Sequence, residues 1–85
     1  MHRHGGSALI TPDDIRDRIL GALPGAEVTV RDMTGAADHY EIVVVSAAFR
    51  GVSLVDRHRM VHAPLRDILG GALHAISLRT LAPGE

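Results

Sequence analysis

Apolar residues along this chain recur in two rhythms, and the rhythms divide it into five elements. Ile15, Ile19 and Leu23 repeat every four residues, the spacing of one helical stripe. A clean start precedes them. Thr11 stands as N-cap, Pro12 at the first helical position, and Asp14 completes an acidic capping box. Ile10 and Ile15 occupy staple positions, and Asp13 and Asp14 suit the positive end of the helix dipole. Pro24-Gly25 ends the helix. Residues 26–33 then alternate, with Val28 and Val30 on one face and Glu27, Thr29 and Arg31 on the other, which predicts a half-exposed strand. After a small-residue turn at 34–38, residues 40–46 are apolar on both faces around Ile42-Val43-Val44-Val45, as a central strand requires.

The helical rhythm returns at Leu54, with Ser53 and Asp56 as the starting cap. Leu54, His58, Val61, Leu65 and Ile68 fall within an arc of roughly 80° at about 100° per residue, so they are read as one inward stripe. Pro64 removes a helical hydrogen bond and clashes with the carbonyl four residues back, so a kink or break is expected near residues 61–63. Gly70-Gly71 stops the helix. Residues 73–80 form the last strand, and Pro83-Gly84 leads out. The order is α-β-β-α-β, an α+β fold. Three strands bury one face only, so both helices must cover the same side of the sheet. Residues 1–9 are read as a flexible N-terminal leader and residues 10–85 as one domain; His2 and His4 in the leader are at most adventitious metal binders.

Composition narrows the function. Eighty-five residues bury only about 60–65% of their unfolded surface, leaving little core to spare for cavities. The two aromatic residues, Tyr40 and Phe49, leave an aliphatic interior. Ten acidic residues against nine basic ones give a net charge of −1, which argues against strong non-specific attraction to nucleic acid or anionic membrane. There is no cysteine, which excludes disulfides, thiol nucleophiles and protein thiolate ligands. No signal peptide and no run of about 18 apolar residues is present, so a soluble, cytoplasmic chain is expected.

Candidate chemistry reduces to histidines and arginines. No nucleophile–base pair, carboxylate pair or phosphate-binding glycine loop is found, so the chain is not read as an enzyme. His39 opens the central strand and His74 the last one. The two share one end of the sheet if those strands run parallel, and either could then ligate a metal. The competing reading of His74 is a surface or half-buried histidine satisfied by backbone groups. His58 lies in the inward stripe, where a structural role competes with a place in a contact surface. His62, four residues on, could pair with His58, but no third ligand is near. Arg50, Arg57, Arg59 and Arg66 invite a nucleic-acid reading. No G-x-x-G clamp and no interleaved aromatic residues support it.

Two motifs carry a family resemblance. Phe49-Arg50-Gly51-Val52-Ser53 followed by Arg57-His58-Arg59-Met60-Val61 resembles the F-x-G-x-S and R-H-R-x-V pattern of the BolA family. The strand His39-Tyr40-Glu41-Ile42-Val43-Val44-Val45-Ser46 and the later His74-Ala75-Ile76-Ser77-Leu78 resemble it too, so the likeness covers residues 11–83. It implies a BolA-like, type II KH-like fold with a mixed three-stranded sheet. It further implies a heterodimer with a monothiol glutaredoxin that jointly holds a [2Fe-2S] cluster, with the glutaredoxin cysteine and its glutathione supplying thiolates. The isolated chain is expected to be a monomer without cofactor.

In that scheme the family's strand-opening histidine is His74. The second ligand of cysteine-bearing members falls at Ala36, which cannot ligate, and His39 is the candidate substitute. Histidine-ligated iron would have a raised potential and respond to protonation. Gly51, Arg57, His58 and Arg59 are the implied partner-contact residues. BolA proteins are also considered transcriptional regulators, and that gives the nucleic-acid alternative. Members usually continue into a further helix carrying a Trp, and the sequence at hand stops at Glu85 before such a helix.

Overall fold

The computed structural model describes residues 11–33, 39–69 and 75–85. The leader, Ile10, the turn holding Ala36, Gly70-Gly71 and His74 lie outside the described residues.

Helix α1, Pro12–Ala22, begins as its sequence predicts. The Asp14 backbone N–H donates to the Thr11 hydroxyl at 3.1 Å, and the Thr11 N–H donates to the Asp14 carboxylate at 3.0 Å. These two bonds satisfy donors that a helix start otherwise leaves unpaired, and the Thr11 backbone N–H, followed by the Thr11 hydroxyl, holds the Asp14 carboxyl below its ordinary value of 3.8. Ile15, Ile19 and Leu23 are buried.

Strand β1, Glu27–Asp32, pairs antiparallel with β2, His39–Val45. Strand β3, Ala75–Leu81, lies on the other side of β2 and runs parallel to it, giving the sheet order β1-β2-β3. The sheet is therefore mixed, with β2 in the centre. Tyr40, Ile42 and Val44 are buried on one face, while His39, Glu41, Val43 and Val45 are half-buried on the other. The apolar run at 42–45 thus serves a central strand with one sealed face and one open one. A parallel connection needs a crossover, and the segment between β2 and β3 supplies it over the sealed face.

That crossover begins with a 3₁₀ turn, Ala47–Phe49, which the sequence reading does not anticipate. The Ser46 hydroxyl accepts from the Ala48 N–H at 3.1 Å and starts the turn, and Phe49 is fully buried. Helix α2, Leu54–His62, then starts at the predicted cap, with the Asp56 N–H donating to the Ser53 hydroxyl at 3.2 Å. The break at Pro64 is present: a 3₁₀ turn, Ala63–Leu65, separates α2 from the short α3, Arg66–Leu69. Arg18 of α1 grips Asp67 of α3 through Nη1 at 2.6 and 2.8 Å, tying the two helical segments together.

The inward face of α2 differs from the predicted stripe. Val61 and Leu65 are buried, and Met60 and Ile68 pack against the core, but Leu54 is 62% exposed. A helical side chain leans toward the N-terminus, so a residue at the first helical position points back past the helix start and finds nothing to cover. One turn later Arg57 turns inward, half-buried, with a side chain only 12% exposed.

The end of the chain also differs from the prediction. Pro83-Gly84 does not lead away. Gly84 takes a positive φ of 89°, the Glu85 N–H donates back to the Ala82 carbonyl at 3.0 Å, and the Glu85 side chain returns to the body of the domain.

Candidate functional site

His39 is the first residue of β2, and its Cα partner is Ala75, the first residue of β3. The condition for the two strand openings to share one end of the sheet is met. His74 is the residue before Ala75 in sequence and lies outside the described residues. Strand alternation puts His39 on the open face, away from the helices. Its Nε2 lies 3.5 Å from the Ser77 hydroxyl. Glu41, next on the same face, pairs with Arg31 at 3.2 Å. On the opposite flank the Met33 N–H donates to the His39 carbonyl at 2.9 Å, and Met33 is 47% exposed.

Gly51, Arg50 and Arg57 assemble elsewhere. Gly51 has a φ of 73° with open space around it, so its glycine is explained by backbone conformation rather than by crowding. The Arg57 guanidinium donates through Nε to the Val52 carbonyl at 2.9 Å and through Nη1 to the Thr80 carbonyl at 3.3 Å. It also forms a two-pronged pair with Glu85, at 2.7 Å from Nη1 and 2.9 Å from Nη2, and lies 5.8 Å from the centre of the Phe49 ring. The pair with Arg57, aided by the Ala82 N–H, pulls the Glu85 carboxyl down to about 2. Arg50 donates to the Pro83 carbonyl at 3.1 Å, a second tie to the same segment.

The sequence-predicted residues therefore fall into two groups. Arg57 touches Thr80, whose partner on β2 is Val44. At about 3.3 Å per residue, Val44 is about 16 Å along the strand from His39. The R-H-R segment starts at one end of the sheet and His39 lies at the other. The four arginines do not form one basic surface either. Arg50 and Arg57 are engaged by the chain itself, Arg59 lies 3.4 Å from Asp56, and Arg66 is exposed on α3. His58 is half-buried at the margin of the inward face, with its ring centre 6.4 Å from that of His62 in an edge-on arrangement. No three His, Cys, Asp or Glu side chains converge on a point among the described residues.

Sequence reasoning missed Ser77, Glu85 and the inward role of Arg57. One signal was present for Arg57: it precedes the buried Val61 by four residues and so shares its side of the helix. Nothing local marked the contact of Ser77 with His39 or the pair of Glu85 with Arg57, because in each case the two partners lie far apart in sequence.

An α+β domain with helices on one side of a mixed three-stranded sheet, and with a histidine heading its central strand, is the class these observations define. Comparison with known proteins places it further. The model of the BolA-like protein family matches residues 23–85, and the chain belongs to that family. It is 34% identical over 89 residues to BolA-like protein 1 of Homo sapiens, covering 94% of this chain and 65% of that protein. It is 30% identical over 73 residues to the uncharacterized protein RP812 of Rickettsia prowazekii, covering 86% and 95%. Among solved structures, BolA1 from Arabidopsis thaliana superposes with a TM-score of 0.79 at 31% identity, over 87% of this chain and 93% of that one. The BolA domain of SufE1 from Arabidopsis thaliana gives 0.75 at 35%, over 85% and 91%.

Proposed function

We propose that the chain is a non-enzymatic adaptor that pairs with a monothiol glutaredoxin and contributes imidazole to a shared [2Fe-2S] cluster, for cluster trafficking or for iron and redox sensing. The observation that carries this reading is the parallel pairing of β2 with β3. It aligns His39 with Ala75 at one end of the sheet, so the opening of β3, where His74 stands in sequence, belongs to the same end. The donor chemistry suits the cargo, because imidazole nitrogen ligates iron in mixed histidine–thiolate clusters. A chain with no cysteine must take its thiolates from a partner. The presence of a BolA domain within SufE1 supports reading this fold as a module that works beside other proteins.

The nucleic-acid alternative draws less support, since two of its four arginines are turned toward the chain's own carbonyls and Glu85. Titration with a cluster-loaded monothiol glutaredoxin tests the proposal. The visible absorption and circular dichroism should change on mixing, His74→Ala should abolish the change, and His39→Ala should alter it. No change with the unmodified chain overturns the reading.

A further inference from the structure

Resting on that reading, we infer that Ser77 is a positioning residue for His39: its hydroxyl accepts the Nε2 proton and leaves Nδ1 as the nitrogen presented to iron. The geometry is diagonal. In the parallel ladder Ser77 is the partner of Glu41, and His39 stands two residues before Glu41 on the same open face. An imidazole standing straight up from His39 would not reach Ser77. The 3.5 Å separation between Nε2 and the hydroxyl means that the ring leans across onto β3. On the other flank, among the described residues, the Met33 N–H donates to the His39 carbonyl and so holds the backbone. The ring's contact among the described residues is with Ser77, on the β3 side.

The consequence follows from the chemistry of a neutral imidazole, which carries one N–H and one bare nitrogen. A hydroxyl that takes up Nε2–H fixes the proton there and leaves the Nδ1 lone pair exposed. A hydroxyl that donates to Nε2 would place the proton on Nδ1 and block that nitrogen. Ligating histidines commonly have their other nitrogen held in this way, and loss of the holding group typically weakens ligation by about 10–100-fold.

The test has two arms. In the isolated chain, long-range ¹H–¹⁵N NMR of His39 should show a single Nε2–H form with its proton protected from exchange. Ser77→Ala should lose that protection while the backbone spectrum elsewhere stays put, and Ser77→Thr should restore it. A His39 ring carrying its proton on Nδ1, or one indifferent to Ser77→Ala, overturns the inference. In the glutaredoxin titration, Ser77→Ala should weaken the spectral response at least about tenfold and Ser77→Thr should recover it. A response in Ser77→Ala equal to that of the unmodified chain, or one that survives His39→Ala unaltered, refutes the positioning role while the adaptor reading stands on His74. Absence of response in the unmodified chain removes the adaptor reading, and the inference falls with it.

Discussion

At the scale of single residues, Arg57 and Thr80 show how much of this domain is decided by side chains that look unremarkable in sequence. Arg57 spends its guanidinium on two carbonyls, one carboxylate and an aromatic ring. Arg59, two residues on, is exposed beside Asp56. Arg57→Ala should therefore lower the thermal midpoint clearly, and Arg59→Ala should barely move it. Arg57→Lys should behave more like the alanine variant, because an ammonium cannot reproduce the planar fork. Thermal melts of the three variants check the order. Thr80 is 5% exposed, and its hydroxyl has no hydrogen-bond partner among the described residues. Burying a hydroxyl without a partner costs free energy, so the isosteric Thr80→Val should raise stability by about 1 kcal/mol in denaturant titration. The Arg57 carbonyl bond uses the Thr80 backbone, and this substitution leaves it intact.

At the scale of elements, local signals were the legible part. Thr11, Pro12 and Asp14 start α1, and Ser53 starts α2, where the sequence puts them, because capping depends on residues within one turn. Ser53→Ala should cost about 1 kcal/mol, read as a lower denaturation midpoint with unchanged slope. Gly51→Ala should cost about 1–2 kcal/mol through its left-handed backbone alone, since a methyl group there meets nothing within 4 Å. If a partner does contact Gly51, binding should fall by more than this loss of stability explains. Leu54 was misplaced because periodicity counts angles around a helix axis and ignores where the helix begins. The turn at Ala47–Phe49 escaped because a single 3₁₀ turn is too short to show a period.

At the scale of the whole molecule, the order of elements and the sidedness of the sheet could be read in advance, but the partition of the candidate residues could not. Gly51, Arg57 and His58 sit close together in sequence, and His39 precedes them by little more than a strand. Only the direction of β2 and the return of α2 show that Arg57 and His39 belong to opposite ends. The same scale governs acid sensitivity. The Glu85 carboxyl is held at about 2 against an ordinary 4.5, and Asp67 beside Arg18 and Asp14 at the α1 cap are also lowered. A lowered folded value contributes stability that is complete above the ordinary carboxylate range and is lost as pH falls through the folded value. Stability should thus decline between about pH 4.5 and pH 2. Glu85→Gln should flatten part of that decline, which melting curves across the range would show.

The crossover between β2 and β3 has a consequence for biosynthesis. While the polypeptide leaves the ribosome, the β1–β2 hairpin and α1 are made early, but the edge of β2 beside His39 stays vacant until residues 75–81 emerge. The histidine-bearing pole is thus completed only by that late strand. A nascent or prematurely terminated product lacking those residues has the His39 imidazole without Ser77 beside it, and so lacks the arrangement that the finished molecule has at this pole.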